Sequence, residues 1–97
     1  MYTLVNAEEM NRKHPTTFHI EPRIDREALR VGDTVKMIFE YPSGGGDRMW
    51  VRVSEVLPGP RFKGILDNEA FFEGAPKLGD TVEFGPENIT AIMDRPN

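Results

Sequence analysis

From Val31 onward the chain alternates apolar and polar residues with a period of two, the signature of half-buried strands. Val35, Met37 and Phe39 alternate with Thr34, Lys36 and Glu40. Tyr41-Pro42-Ser43-Gly44-Gly45-Gly46-Asp47 follows as a turn, because proline stops a ladder and glycine adopts positive φ at little cost. A second strand runs through Met49, Val51 and Val53. Pairing Phe39 with Met49 sets Met37 against Val51 and Val35 against Val53 on one face. The other face then pairs Glu40 with Arg48, Ile38 with Trp50 and Lys36 with Arg52, the last an unfavourable meeting of like charges. Alternation breaks at Ser54-Glu55-Val56, which predicts a bulge or a strand end.

Pro58-Gly59-Pro60 is the next turn, and Arg61 to Leu66 the third strand, in which Gly64 permits close backbone approach. Asp67 to Lys77 reads as a longer connection containing Phe71, Phe72 and Pro76. Thr81 to Phe84 makes a fourth strand, Gly85-Pro86 a turn, and Ile89 to Met93 a last short strand. Val31-Gly32-Asp33-Thr34-Val35 and Leu78-Gly79-Asp80-Thr81-Val82 echo each other, each setting a Gly-Asp turn before a strand. Ahead of the strands, residues 7 to 13 are good helix formers behind Asn6, a plausible N-cap. Residues 15 to 30, with Pro15 and Pro22 around Phe18 and Ile20, read as an extended arm that needs a surface to cover.

These elements predict a mainly β (α+β) chain. Its form is one strongly bent antiparallel sheet, or an SH3-like barrel, of about five strands. Residues 1–30 supply the helix and arm, and residues 31–97 the β domain, within one folding unit. The expected core is Val35, Met37, Phe39, Met49, Val51, Val53, Leu66, Val82, Phe84 and Ile89. A length of 97 residues admits one domain, and a core of that size leaves little room for a deep enclosed active site.

Charge narrows the partners. Residues 1 to 66 carry 10 basic and 9 acidic side chains, whereas residues 67 to 97 carry 2 and 7, so the net charge of −4 is concentrated in the last third. An acidic third opposes a phosphate backbone, and Arg48, Arg52, Arg61 and Lys63 are interleaved with acids, so nucleic acid is not the expected partner. No run approaches the roughly 18 apolar residues of a membrane helix, and the N-terminal stretch lacks the basic and apolar regions of a secretory signal. A cytoplasmic location is expected. Without cysteine there is no disulfide or thiolate metal site.

Several runs carry a family resemblance: Val35-Lys-Met-Ile-Phe39, Gly46-Asp-Arg-Met-Trp-Val-Arg-Val53, Phe62-Lys-Gly-Ile-Leu-Asp-Asn68, and Leu78-Gly-Asp-Thr-Val-Glu-Phe84 followed by Ile89. Together they resemble the bacterial YegJ-like family, domain of unknown function 2314, over about residues 16 to 92. Met49-Trp50-Val51 and Gly64 to Asn68 are the most specific part. That family often continues with an Asp-Trp pair, where this chain has Thr90-Ala91. The resemblance supports the β reading and supplies no catalytic residue. A looser likeness links the chain to small acidic immunity proteins that neutralise toxins.

Candidate chemistry is sparse. His14, His19 and Glu21 lack the spacing and the further ligands of a metal site, so neither metal nor cofactor is expected. Asp67 and Glu69 point the same way on a strand, as an acid-base pair would, but at a strand end they read as solvated. Ser43 sits among glycines without the lysine of a phosphate loop. Trp50 is the better lead. It lies opposite the core face, next to Ile38 and between Arg48 and Arg52, and is either covered by Phe18 and Ile20 or exposed as a recognition surface. Asn68 is the second lead, as a bridge from the strand to the Phe71-Phe72 loop. The expected function is non-enzymatic binding of another protein through Ile38, Arg48, Trp50 and Arg52 or through the Phe71-Phe72 loop. The competing reading is a small-ligand or enzyme site at Trp50, Asn68 and Asp67.

Overall fold

The computed structural model describes residues 1–70 and 74–95; the predicted Phe71-Phe72 contact lies outside them. Among the described residues six strands form one antiparallel sheet: β1 (Thr3–Leu4), β2 (Thr34–Glu40), β3 (Gly46–Leu57), β4 (Arg61–Leu66), β5 (Thr81–Phe84) and β6 (Ile89–Ile92). β2 to β5 make a meander. A 3-10 turn at Pro86–Asn88 then returns the chain so that β6 pairs with β2. β1 takes the same edge of β2 further along, with Leu4 facing Phe39. The result is a curled half-barrel of five full strands and one two-residue strand, as the period-two pattern requires. Among the described residues no helix is long and apolar enough to cross a membrane.

Every residue of the expected core is buried, and Ala7, Leu29, Tyr41 and Phe62 join it. Phe62 and Phe84 pack with ring centroids 5.5 Å apart across β4 and β5, and Tyr2 closes on Phe39 at 5.0 Å. The predicted break at Ser54 is a bulge between Val53 and Glu55. Gly64, opposite Val53, is obligatory: a Cβ there would stand 2.5 Å from Val51 Cγ1 and 2.8 Å from the Arg52 carbonyl oxygen.

The register of the first hairpin differs from expectation. Met37 faces Met49, Val35 faces Val51, Ile38 faces Arg48 and Lys36 faces Trp50. The turn is shorter than its seven-residue composition suggests, because Tyr41 N–H already bonds the Gly45 carbonyl at 2.9 Å and Gly44 takes φ +100°. Each β2 residue therefore meets a partner two positions nearer the turn. A two-residue shift preserves the faces, so the core prediction survives it. It also separates Lys36 from Arg52, which now faces Thr34.

The sequence echo is a duplicated turn. Gly32 and Gly79 take φ of +97° and +93°. Asp33 and Asp80 each accept, through Oδ2, the N–H of the residue three before, Arg30 at 2.8 Å and Lys77 at 2.9 Å. Both turns dock on a neighbouring strand alike: Gly32 N–H bonds the Val53 carbonyl and Gly79 N–H the Leu66 carbonyl, each at 2.8 Å. Each turn thus satisfies its own backbone while starting a strand in register.

The N-terminal segment corrects the arm reading. α1 (Ala7–Lys13) begins at Asn6, whose side chain accepts Glu9 N–H at 3.0 Å, with acids in its first turn and bases in its last. A turn follows, in which Asn11 Nδ2 donates to the Phe18 carbonyl at 2.8 Å. Where an extended run was expected, α2 (Arg23–Glu27) forms behind Pro22. Ile24 is exposed on it, whereas Arg26 is buried. Arg26 donates to the Glu21 carbonyl (2.7 Å), Glu8 Oε2 (2.8 Å) and the Pro86 carbonyl (2.7 Å). Glu8 also pairs with Arg23. A buried cation with three acceptors, in place of an apolar stripe, holds this helix.

Candidate functional site

With Val35, Met37 and Phe39 pointing inward, the outer face of β2 and β3 carries Lys36, Ile38, Arg48, Trp50 and Arg52. Cross-strand pairing places Thr34 against Arg52, Lys36 against Trp50 and Ile38 against Arg48 in successive rows. Trp50 is half-buried and Arg48 and Arg52 are exposed. Lys36 Nζ lies 4.7 Å from the centre of the Trp50 ring, a cation over a π face. All four predicted sheet residues thus share one surface. Lys36 is the fifth member and was missed, because only the true register sets it beside Trp50.

Asn68 holds the ladder, and the Phe71-Phe72 loop it was expected to bridge to lies outside the described residues. Asn68 Oδ1 accepts Trp50 N–H at 2.9 Å, while Asp67 N–H bonds the Trp50 carbonyl at 2.9 Å. The amide side chain thereby continues β4 past its end and fixes Trp50 from behind. With that acceptor committed to backbone, the pair behaves as one structural unit. Asp67 and Glu69 are both exposed, as are Ser43, His14 and His19. Among the described residues no group of three or more His, Cys, Asp or Glu side chains is placed to hold a metal ion.

Phe18 reaches the outer face, but one row away from Trp50: the Arg48 guanidinium carbon lies 5.9 Å from its ring centre. Phe18 also lines a groove of about 420 Å³ with Leu4, Val5, Met10, Ile38 and Arg48, and with the acids Glu9 and Glu40. The groove lies where β1 and the start of α1 meet Phe18 and the outer face of β2 and β3. Nothing in local sequence foretold it, since its walls come from three separate stretches of chain.

Charge across the molecule is uneven in its pairing. Arg23, Arg26, Arg61 and Arg95 each meet a carboxylate. Lys36, Arg48 and Arg52 have no carboxylate within ion-pair distance among the described residues. Elsewhere, Arg95 grips Asp33 with two bonds of 2.8 and 2.7 Å, and those bonds hold the Asp33 carboxyl below its ordinary range. Tyr41 donates to Asp47 Oδ2 at 2.7 Å, and burial, then the adjacent carboxylate, pushes its hydroxyl pKa upward. The first contact ties the segment after β6 to the turn before β2, and the second closes the hairpin between β2 and β3.

Compared with protein-family models, curated proteins and solved structures, the chain matches no family model, no curated protein and no solved structure.

Proposed function

We propose that the chain is a non-enzymatic binding module that engages another protein through the outer face of β2 and β3. The observation that carries this reading is Trp50, half-exposed on the side of the sheet away from the core and bordered by Lys36, Arg48 and Arg52, three cations without carboxylate partners among the described residues. Trp and Arg are the side chains that most often anchor interfaces. Kinship to the YegJ-like family belongs to the same proposal. It is supported by the meeting of the two most specific matched stretches in one hydrogen bond, Trp50 N–H to Asn68. A cytoplasmic location is part of the proposal as well.

The test is affinity capture from source-cell extract with wild-type and Trp50→Ala protein, each checked for folding by its unfolding midpoint. Loss of a discrete captured protein with the midpoint retained is the expected result. Equal capture by both refutes the assignment of the face.

A further inference from the structure

We propose that the partner contributes a short acidic segment bearing large aliphatic side chains, its carboxylates meeting Lys36, Arg48 and Arg52 and its aliphatic anchor entering the groove beside Ile38. This inference rests on the binding-face reading above and adds the chemistry of what binds there.

Charge complementarity carries the first half. The chain has a net charge of −4, yet the rows Thr34/Arg52, Lys36/Trp50 and Ile38/Arg48 bring three cations and no acid to one strip of sheet. From Arg48 to Arg52 the strip spans about 13 Å at roughly 3.3 Å per residue, a length that a few extended residues cover. Cations left without a carboxylate among the described residues, in an otherwise acidic protein, steer an acidic partner and repel a basic one.

The groove carries the second half. Leu4, Val5, Met10, Phe18 and Ile38 give it apolar walls, and about 420 Å³ accommodates one or two aliphatic side chains. Arg48 belongs to both the strip and the groove, so the two halves are continuous. Glu40 lies one row beyond Ile38, on the side away from Trp50, and Glu9 also lines the groove. Glu40 confines the partner's carboxylates to the Trp50 side, which places the aliphatic anchor at the end of the segment away from Trp50. The same two glutamates disfavour a nucleic acid, whose phosphates continue past any anchor.

Fluorescence anisotropy with labelled synthetic peptides tests this. The probe is a peptide of consecutive Asp and Glu residues with a Leu-Leu pair at one end, made in both orders. Its controls are the same peptide with Lys for the acids, the same with Ser for the leucines, and a single-stranded RNA oligonucleotide. We expect saturable binding of the probe alone, weakening as salt rises from about 0.05 to about 0.5 M. Arg48→Glu and Ile38→Asp, each confirmed folded, should weaken it by about tenfold or more. Lys77→Glu, the same charge change off this face, should leave it unchanged. Absence of saturable probe binding overturns the proposal. So does equal binding of the Ser or Lys peptide, tighter binding of the RNA, or self-association that Arg48→Glu abolishes, which would make the occupant a second copy. Should the probe fail while Trp50→Ala still abolishes capture from extract, the partner chemistry is wrong and the face stands; should Trp50→Ala leave capture intact, the face itself is wrong.

Discussion

Replacing Gly64 by alanine tests the sheet at its tightest point. The added Cβ would lie 2.5 Å from Val51 Cγ1 and 2.8 Å from the Arg52 carbonyl oxygen, whereas carbon atoms pack at about 3.5 to 4.0 Å. Val51 is fully buried, so its methyl group has nowhere to retreat, and the carbonyl belongs to the β3 backbone. Relief requires β4 to move away from β3 by about 1 Å, stretching the ladder where Gly64 faces Val53. Overpacking of this kind costs about 1 to 3 kcal/mol, and loss of ladder geometry places Gly64→Ala at the upper end. With a urea m-value of about 1.5 kcal/mol per molar, a cost near 3 kcal/mol lowers the midpoint by about 2 M. The assay is equilibrium urea unfolding of wild type, Gly64→Ala, Val51→Ala and the double variant. Val51→Ala removes one of the two clashes, so the double variant should be less destabilised than the sum of the singles. A Gly64→Ala midpoint within error of wild type would refute the β3–β4 register.

Other expectations follow from the same packing. Val51→Ala alone should cost about 1 to 3 kcal/mol in the same unfolding assay, through lost burial and an unfilled cavity, while exposed Glu40→Ala should change stability by less than about 0.5 kcal/mol. Arg26→Met should cost about 3 kcal/mol in thermal or chemical unfolding, since it leaves the Glu21 and Pro86 carbonyls without their donor and Glu8 with Arg23 alone; retention of full stability would contradict the buried network. The bonds from Arg95 hold the Asp33 carboxyl below its ordinary value of 3.8, so its stabilising contribution is complete above that pH and is lost as pH falls through the lower folded value. Asp33→Asn should therefore flatten the acid limb of the stability profile below about pH 4, and an unchanged limb would count against the Arg95 clasp.

Alternation along β2 to β5 was enough to determine the faces, most of the core and the bounds of β4 and β5, because side chains on a pleated strand must alternate and only one face finds apolar partners. Asn6 and the residues behind it likewise determined α1, a matter of local capping. The Gly-Asp echo announced two strand-entry turns, because each aspartate bonds backbone three residues away. Tertiary structure decided what depends on distant chain. The hairpin register hung on where the turn closed, a choice the glycine-rich run leaves open and the packing of Met37 on Met49 settles. α2 has no apolar stripe to read, and its anchor, Arg26, is satisfied by Glu8 and Pro86, far away in sequence. Of the candidate site, Ile38, Arg48, Trp50 and Arg52 were legible as one face from period two alone. Lys36 beside Trp50, Asn68 behind it and the groove under Phe18 were not, since each arises where separate segments meet and no single stretch of sequence contains the meeting.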